Sequence, residues 1–162
     1  MARPMVSASR PWERLLRPAL IAGLVAAAIF DLYVWLTTVL PAGGSLASLW
    51  QQIAAVTVGK AVASSSPAYA GLGVVIQAAV GIGWGAGYAY LAARQPVFNT
   101  RWIAGGLVYG IVVYVVMELI LLGGNALTPP ATPNAFLNAV IAHTVFFGLP
   151  IAYLVKRLQT GT

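Results

Sequence analysis

The sequence predicts an all-α integral membrane protein, a bundle of four transmembrane helices with a short interfacial or re-entrant helix between the first and second spans. Composition is the first reason: 60% of residues are hydrophobic and only 7% charged, where soluble domains carry about 25% charged residues. The second is the length of the apolar runs, since roughly 20 apolar residues at ~1.5 Å rise each cross a ~30 Å hydrocarbon core. The third is that nearly all basic residues fall at the ends of those runs. Residues 1–162 are spent on apolar segments and short connections, which makes them a single membrane domain without a separate soluble module.

The first span covers residues 18–40, behind a flank holding Arg3, Arg10, Arg14 and Arg17. The flank has the charge pattern of a signal sequence. The run is too long for one and no convincing small-residue cleavage site follows, so it reads as a retained signal-anchor. Pro41-Ala42-Gly43-Gly44 closes the span, and Ser45 is placed to cap the next helix, because its hydroxyl can accept from free amides of the first turn. Residues 46–63 are apolar but contain Gln51, Gln52, Thr57, Gly59 and Lys60 and end in Ser64-Ser65-Ser66-Pro67, too polar and broken for an easy crossing.

Charge decides between the two topologies. If residues 46–63 stay on the far side, Arg3, Arg10, Arg14, Arg17, Arg94, Arg101, Lys156 and Arg157 share one face and only Lys60 lies opposite. If they cross, the basic residues divide almost evenly. The positive-inside bias selects four spans with both termini cytoplasmic, in a bacterial-type inner membrane. The short segment then lies in the outer interface or dips partway in, where Trp50 suits the boundary.

Ser66-Pro67 opens the second span, residues 69–93, and Arg94-Gln95-Pro96 ends it. The third span is 102–122. A loop from Gly123-Gly124-Asn125 through Pro129-Pro130 and Pro133-Asn134 leads to the fourth, 136–155, with Asn134 and Asn138 near its start as candidate caps. A weak repeat links the halves: Gly23-Leu24-Val25 matches Gly106-Leu107-Val108, and Ala89-Tyr90-Leu91 matches Ala152-Tyr153-Leu154. Same-orientation repeats of this kind occur in transporters and also in inert bundles.

Glycines supply the expected helix-packing faces. The second span offers Gly81/Gly85 and Gly83/Gly87 and the third Gly106/Gly110, small-xxx-small pairs that let backbones approach closely where lipid gives no hydrophobic drive between helices. The second span also holds Gly71 and Gly73, more glycine than one neighbouring helix needs, which suggests docking to another subunit as well. Trp84, Tyr88, Tyr90 and Trp102 near one end, with Tyr33, Trp35 and Tyr69 near the other, read as interface anchors.

The candidate site is a layer of polar residues. By rise per residue Asp31 lies ~13 Å, Gln77 ~12 Å, His143 ~10 Å and Glu118 ~6 Å below the outer ends of their spans. Intramembrane ionisable groups face the bundle interior and pair, since an isolated charge costs at least ~2.5 kcal/mol. Lys60 with Asp31 or Glu118 is the natural pair, Thr38 and Tyr114 offer hydroxyls, and Tyr114 stands one turn from Glu118. Asp31, Glu118 and His143 have the ligand types of a facial triad, but they come from three helices without a local spacing motif. No metal or other cofactor is expected. One histidine is too few for a two-haem cytochrome b arrangement, and no GxSxG, P-loop, HExxH, Rossmann or CxxC pattern is present. Zero cysteines exclude structural disulfides and thiolate chemistry. The net charge of +6 belongs to headgroup contacts rather than to nucleic acid.

The run Ala142-His143-Thr144-Val145-Phe146-Phe147-Gly148-Leu149-Pro150, preceded by Leu127-Thr128-Pro129-Pro130, resembles the uncharacterised YagU-like inner-membrane proteins and related small four-span families. Asp31 after a small-residue run, the short helix at 46–63 and the Gly-Leu-Val opening at Gly106 are similar too. Such families often carry a histidine on the second span, where Gln77 stands here, a departure that removes the partner for a paired-histidine site. The resemblance implies a four-helix inner-membrane protein and no particular reaction. The leading expectation is a non-enzymatic accessory or structural subunit that packs with other membrane subunits or with itself. The alternatives are a small transporter or proton conductor using Asp31, Lys60, Gln77, Tyr114, Glu118 and His143, and a metal-dependent membrane enzyme using the same layer.

Overall fold

A computed structural model describes residues 13–123 and 132–161. Arg3, Arg10 and most of the proline-rich loop before the fourth span, including the Leu127-Thr128-Pro129-Pro130 run, lie outside the described residues. Among the described residues four helices are long and apolar enough to cross a membrane, Leu15–Val39, Tyr69–Arg94, Trp102–Leu122 and Pro133–Thr160, and the shorter apolar helix Leu46–Val58 lies between the first two. The elements are α1 (Glu13–Val34) with a π-helical turn Trp35–Val39, α2 (Leu46–Val58), α3 (Lys60–Ser64), α4 (Tyr69–Arg94), α5 (Val97–Thr100), α6 (Trp102–Gly123), and α7 (Pro133–His143) running through a second π-helical turn, Thr144–Gly148, into α8 (Leu149–Thr160). Expected and observed spans differ mainly at the ends. The fourth starts at Pro133 because the Thr132 hydroxyl accepts the Ala135 N–H at 3.2 Å, so neither Asn134 nor Asn138 is its cap. It runs past residue 155 to Gly161, whose φ of 71° closes the helix.

Both π-helical turns stand immediately before a Leu-Pro pair, Leu40-Pro41 and Leu149-Pro150. A proline donates no hydrogen bond, and its ring crowds the carbonyl four residues back. The chain answers by widening the turn: Leu40 N–H donates five residues back to Trp35 at 2.7 Å, and Leu149 N–H to Thr144 in the same way. At Pro41 the helix then ends, whereas at Pro150 it continues.

The spans pack antiparallel in two hairpins built on the same contact. A Cβ added at Gly81 would lie 2.7 Å from the Gly23 carbonyl oxygen and 2.9 Å from Ala27 Cβ. One added at Gly148 would strike the Gly106 carbonyl and lie 2.9 Å from Gly110 Cα. Gly23 and Gly106 are the matched positions of the sequence repeat, so the two halves are equivalent in packing as well as in motif. Backbones touching this closely gain dispersion contacts along their whole length.

The hairpins join unequally. α1 lies against the fourth span, where Tyr33 stacks on Phe146 at 3.9 Å and Phe30 meets Phe147 edge-on at 5.8 Å. Between α4 and α6 the gap is filled by large rings. Tyr88, fully buried, meets Tyr109 at 5.1 Å, and the Tyr109 hydroxyl donates to the Trp84 carbonyl at 2.6 Å. Tyr88 is therefore a core residue and not the interface anchor that its sequence position suggests, because its ring lies between α4 and α6 while Gly81 and Gly85 make the contact with α1.

Candidate functional site

Among the described residues the polar side chains within the spans form separate hydrogen-bonded or ring-packed groups that face different helices. The first centres on Asp31, 8% exposed on α1. Its Oδ2 accepts from Trp50 Nε1 at 3.0 Å and its Oδ1 from Gln77 Nε2 at 2.6 Å. Each donor is held by its own element. The Ser45 hydroxyl caps α2 by accepting the Ser48 N–H at 3.1 Å, and Gln51 Nε2 donates to the carbonyls of Ala63 and Ser66 at 3.2 and 3.0 Å, tying the far end of α3 back to α2. Gly59, at φ 85°, makes the break between the two short helices, a conformation side chains other than glycine resist. Gly73 lets the Trp50 carbonyl rest on α4, since any Cβ there would overlap it. Gln77 follows Gly73 by one turn on the same face. Asp31 thus joins α1, α2 and α4.

The pairing of Asp31 with Lys60 expected from charge is not formed. Lys60 is exposed at the start of α3, and both carboxylate oxygens are taken by neutral donors. The indole lies on the buried side of α2, and the Gly59 break turns the chain before Lys60, so the tryptophan reaches the carboxylate and the lysine does not.

The second group surrounds His143. Its Nδ1 lies 2.8 Å from the Ala139 carbonyl; a carbonyl only accepts, so that nitrogen carries hydrogen. The ring packs edge-on against Phe30 at 4.8 Å and Tyr114 at 5.3 Å. No hydrogen bond engages His143 Nε2 or the Tyr114 hydroxyl among the described residues, and the expected bond from Tyr114 to Glu118 is absent there. Glu118, half-buried near the end of α6, makes no hydrogen bond or ion pair among the described residues. Phe30 explains why Asp31 and His143 stay apart. Adjacent residues on a helix point about 100° apart, so Phe30 faces the fourth span while Asp31 faces α4.

The third group lay outside the expected layer. The Tyr33 hydroxyl donates to Asn138 Oδ1 at 2.6 Å, and Asn138 Nδ2 donates to Thr37 and Thr38 hydroxyls at 3.2 and 3.1 Å. Asn138 binds the first span to the fourth, and Thr38 serves it rather than a carboxylate. Its signal in the sequence was an amide inside a span, which read equally well as a cap.

Of the expected packing glycines, Gly81 and Gly85 meet α1, Gly106 and Gly110 meet the fourth span, and Gly87 faces the Tyr109 hydroxyl, while Gly83 is exposed with nothing against it. Among the described residues no group of three or more His, Asp or Glu residues stands close enough to hold a metal ion, so Asp31, Glu118 and His143 do not form a triad. A groove of about 240 Å³ between the first π-helical turn and α2 is lined by Thr38, Val39, Ala42, Gly44, Ser48 and Gln52, with Asp31 and His143 not among its walls. Comparison of the chain with protein-family models, with curated proteins and with solved structures gives no match.

Proposed function

We propose that this is a non-enzymatic integral membrane protein acting as an accessory or structural subunit, packed with partner subunits or copies of itself in a bacterial-type inner membrane, its termini cytoplasmic. The observation that carries the reading is the closure of Asp31. Both oxygens are engaged by Trp50 and Gln77, an arrangement that fixes helix positions and commits each oxygen to a neighbouring helix. Asn138 bridging Tyr33, Thr37 and Thr38 is the same kind of joint. Packing with another helix is supported by Gly71, Ala79, Gly83 and Ala86, which lie exposed along α4 and form the kind of smooth face membrane helices pack against. Kinship with the YagU-like four-span proteins belongs to this reading and rests on the runs quoted above. Native mass measurement after extraction in mild detergent tests it: an oligomer or a stoichiometric companion is expected, and a strictly monomeric, partner-free protein contradicts it.

A second reading, a small proton or solute conductor, draws on His143 Nε2 and the Tyr114 hydroxyl, which make no hydrogen bond among the described residues. It requires pH-dependent flux in liposomes that falls in His143→Gln. Absence of flux in the unaltered protein rules it out.

A further inference from the structure

The end of the bundle where α8 leaves the membrane gathers cations on aromatic faces. Lys156 Nζ stands 5.8 Å from the centre of the Trp102 ring. Trp102 in turn packs against Tyr153 at 5.4 Å. Arg157 lies over that tyrosine at 5.5 Å, with its Nε donating to the hydroxyl at 3.2 Å. Arg101, the residue before Trp102, is exposed beside them in sequence. Neither Asp31 nor Glu118 pairs with Lys156, Arg157 or Arg101; both lie in the other half of their spans.

The repeat supplies an internal comparison. Ala89-Tyr90-Leu91-Ala92-Ala93-Arg94 ends α4 and Ala152-Tyr153-Leu154-Val155-Lys156-Arg157 stands at the matched place in α8. Both set an arginine over a tyrosine, Arg94 at 5.0 Å from Tyr90. Only the α8 copy adds a second cation, in place of Ala93, and a tryptophan from the neighbouring helix. Aromatic faces hold the two side chains toward one corner while leaving their charge unneutralised.

We infer that this corner, Lys156 and Arg157 on α8 with Trp102 and Tyr153 between them, binds the headgroup of an anionic phospholipid. Charge complementarity selects that occupant. The chain has nine Lys and Arg against three Asp and Glu, the corner sits at the end of two spans where headgroups lie, and adjacent cations beside membrane-level aromatics suit a phosphate oxygen cluster. Arg94, alone on α4, gives the same anchoring without the second charge.

Native mass spectrometry of the detergent-extracted protein with added phosphatidylglycerol or phosphatidylethanolamine tests this. The unaltered protein should retain phosphatidylglycerol preferentially, K156Q/R157Q should weaken that retention by about tenfold or more, and R94Q should leave it within about twofold. Equal retention of both lipids, or a double variant matching the parent, overturns the site. A measurement that does not depend on that variant folding is tryptophan quenching in vesicles. Brominated phosphatidylglycerol should quench the parent more than brominated phosphatidylethanolamine at equal mole fraction, and W102F should lose the difference. No difference in the parent, or an undiminished one in W102F, contradicts the assignment.

Discussion

Trp50 Nε1 donates to Asp31 Oδ2 at 3.0 Å, and through that bond a helix too short to cross a membrane is fastened to one that does. The two residues stand on either side of the Pro41-Ala42-Gly43-Gly44 turn. With Gln77 on the other oxygen, the carboxylate holds three elements in one geometry.

Gln77→Leu keeps the side-chain bulk and removes the Oδ1 donor. The variant should lose roughly 0.5–2 kcal/mol, the range for an interhelical bond in a membrane protein and for one to a carboxylate. The shift of the unfolding midpoint in an SDS titration measures it. An unchanged midpoint would show that the bond contributes nothing to stability.

Two glycines two residues apart on α4 should respond in opposite directions. Gly81→Val drives carbon into the Gly23 carbonyl and Ala27, so the first hairpin must separate, and a loss of about 2 kcal/mol or more is expected from overpacking. Gly83→Ala meets nothing, and its better helix propensity gives a neutral result or a gain of up to ~1 kcal/mol. Thermal unfolding in detergent separates the pair. Should Gly83→Ala instead break up a native oligomer while the monomer stays folded, the open face of α4 is the subunit contact.

The spans, their order and the small-residue contacts were legible in the sequence, because length and hydropathy decide what can cross a bilayer and glycine spacing marks where backbones meet. Asp31 and Gln77 were rightly placed at one level by rise per residue. Azimuth was not legible. Nothing in the spacing said that Phe30 would turn toward the fourth span and leave Asp31 facing α4, so residues at similar depth read as one layer where the structure has separate groups. Trp50 was missed as a partner because charge logic favours an ammonium for a carboxylate, whereas the Gly59 break turns Lys60 out and the close approach at Gly73 brings the indole in. The Leu-Pro pairs were visible, but a proline at the end of or inside an apolar run does not by itself tell a helix stop from a widened turn.

Asn138→Leu removes the acceptor for Tyr33 and the donor for Thr37 and Thr38. At roughly 0.6 kcal/mol for each interhelical bond, the expected cost is about 1–2 kcal/mol. Faster amide exchange should be confined to the facing ends of the first and fourth spans. Exchange rising equally across α4 and α6 would argue against a local joint.

Gly73→Ala places a methyl on the Trp50 carbonyl and should push α2 away from α4 without disturbing the four spans. Helix content by circular dichroism should hold while proteolysis at residues 59–66 becomes faster. Gly71→Ala, with open space around it, is the matched control and should behave as the parent.

The central claim, that Asp31 is a structural joint, is tested most directly by a double-mutant cycle of Asp31→Asn and Trp50→Phe on reversible SDS unfolding. An asparagine can accept from only one of the two donors and turns its own N–H₂ toward the other. Each single variant should therefore destabilise, and the double variant by less than the sum, with a coupling of about 0.5–1.5 kcal/mol. Strictly additive losses, or no loss in either single variant, would contradict the account.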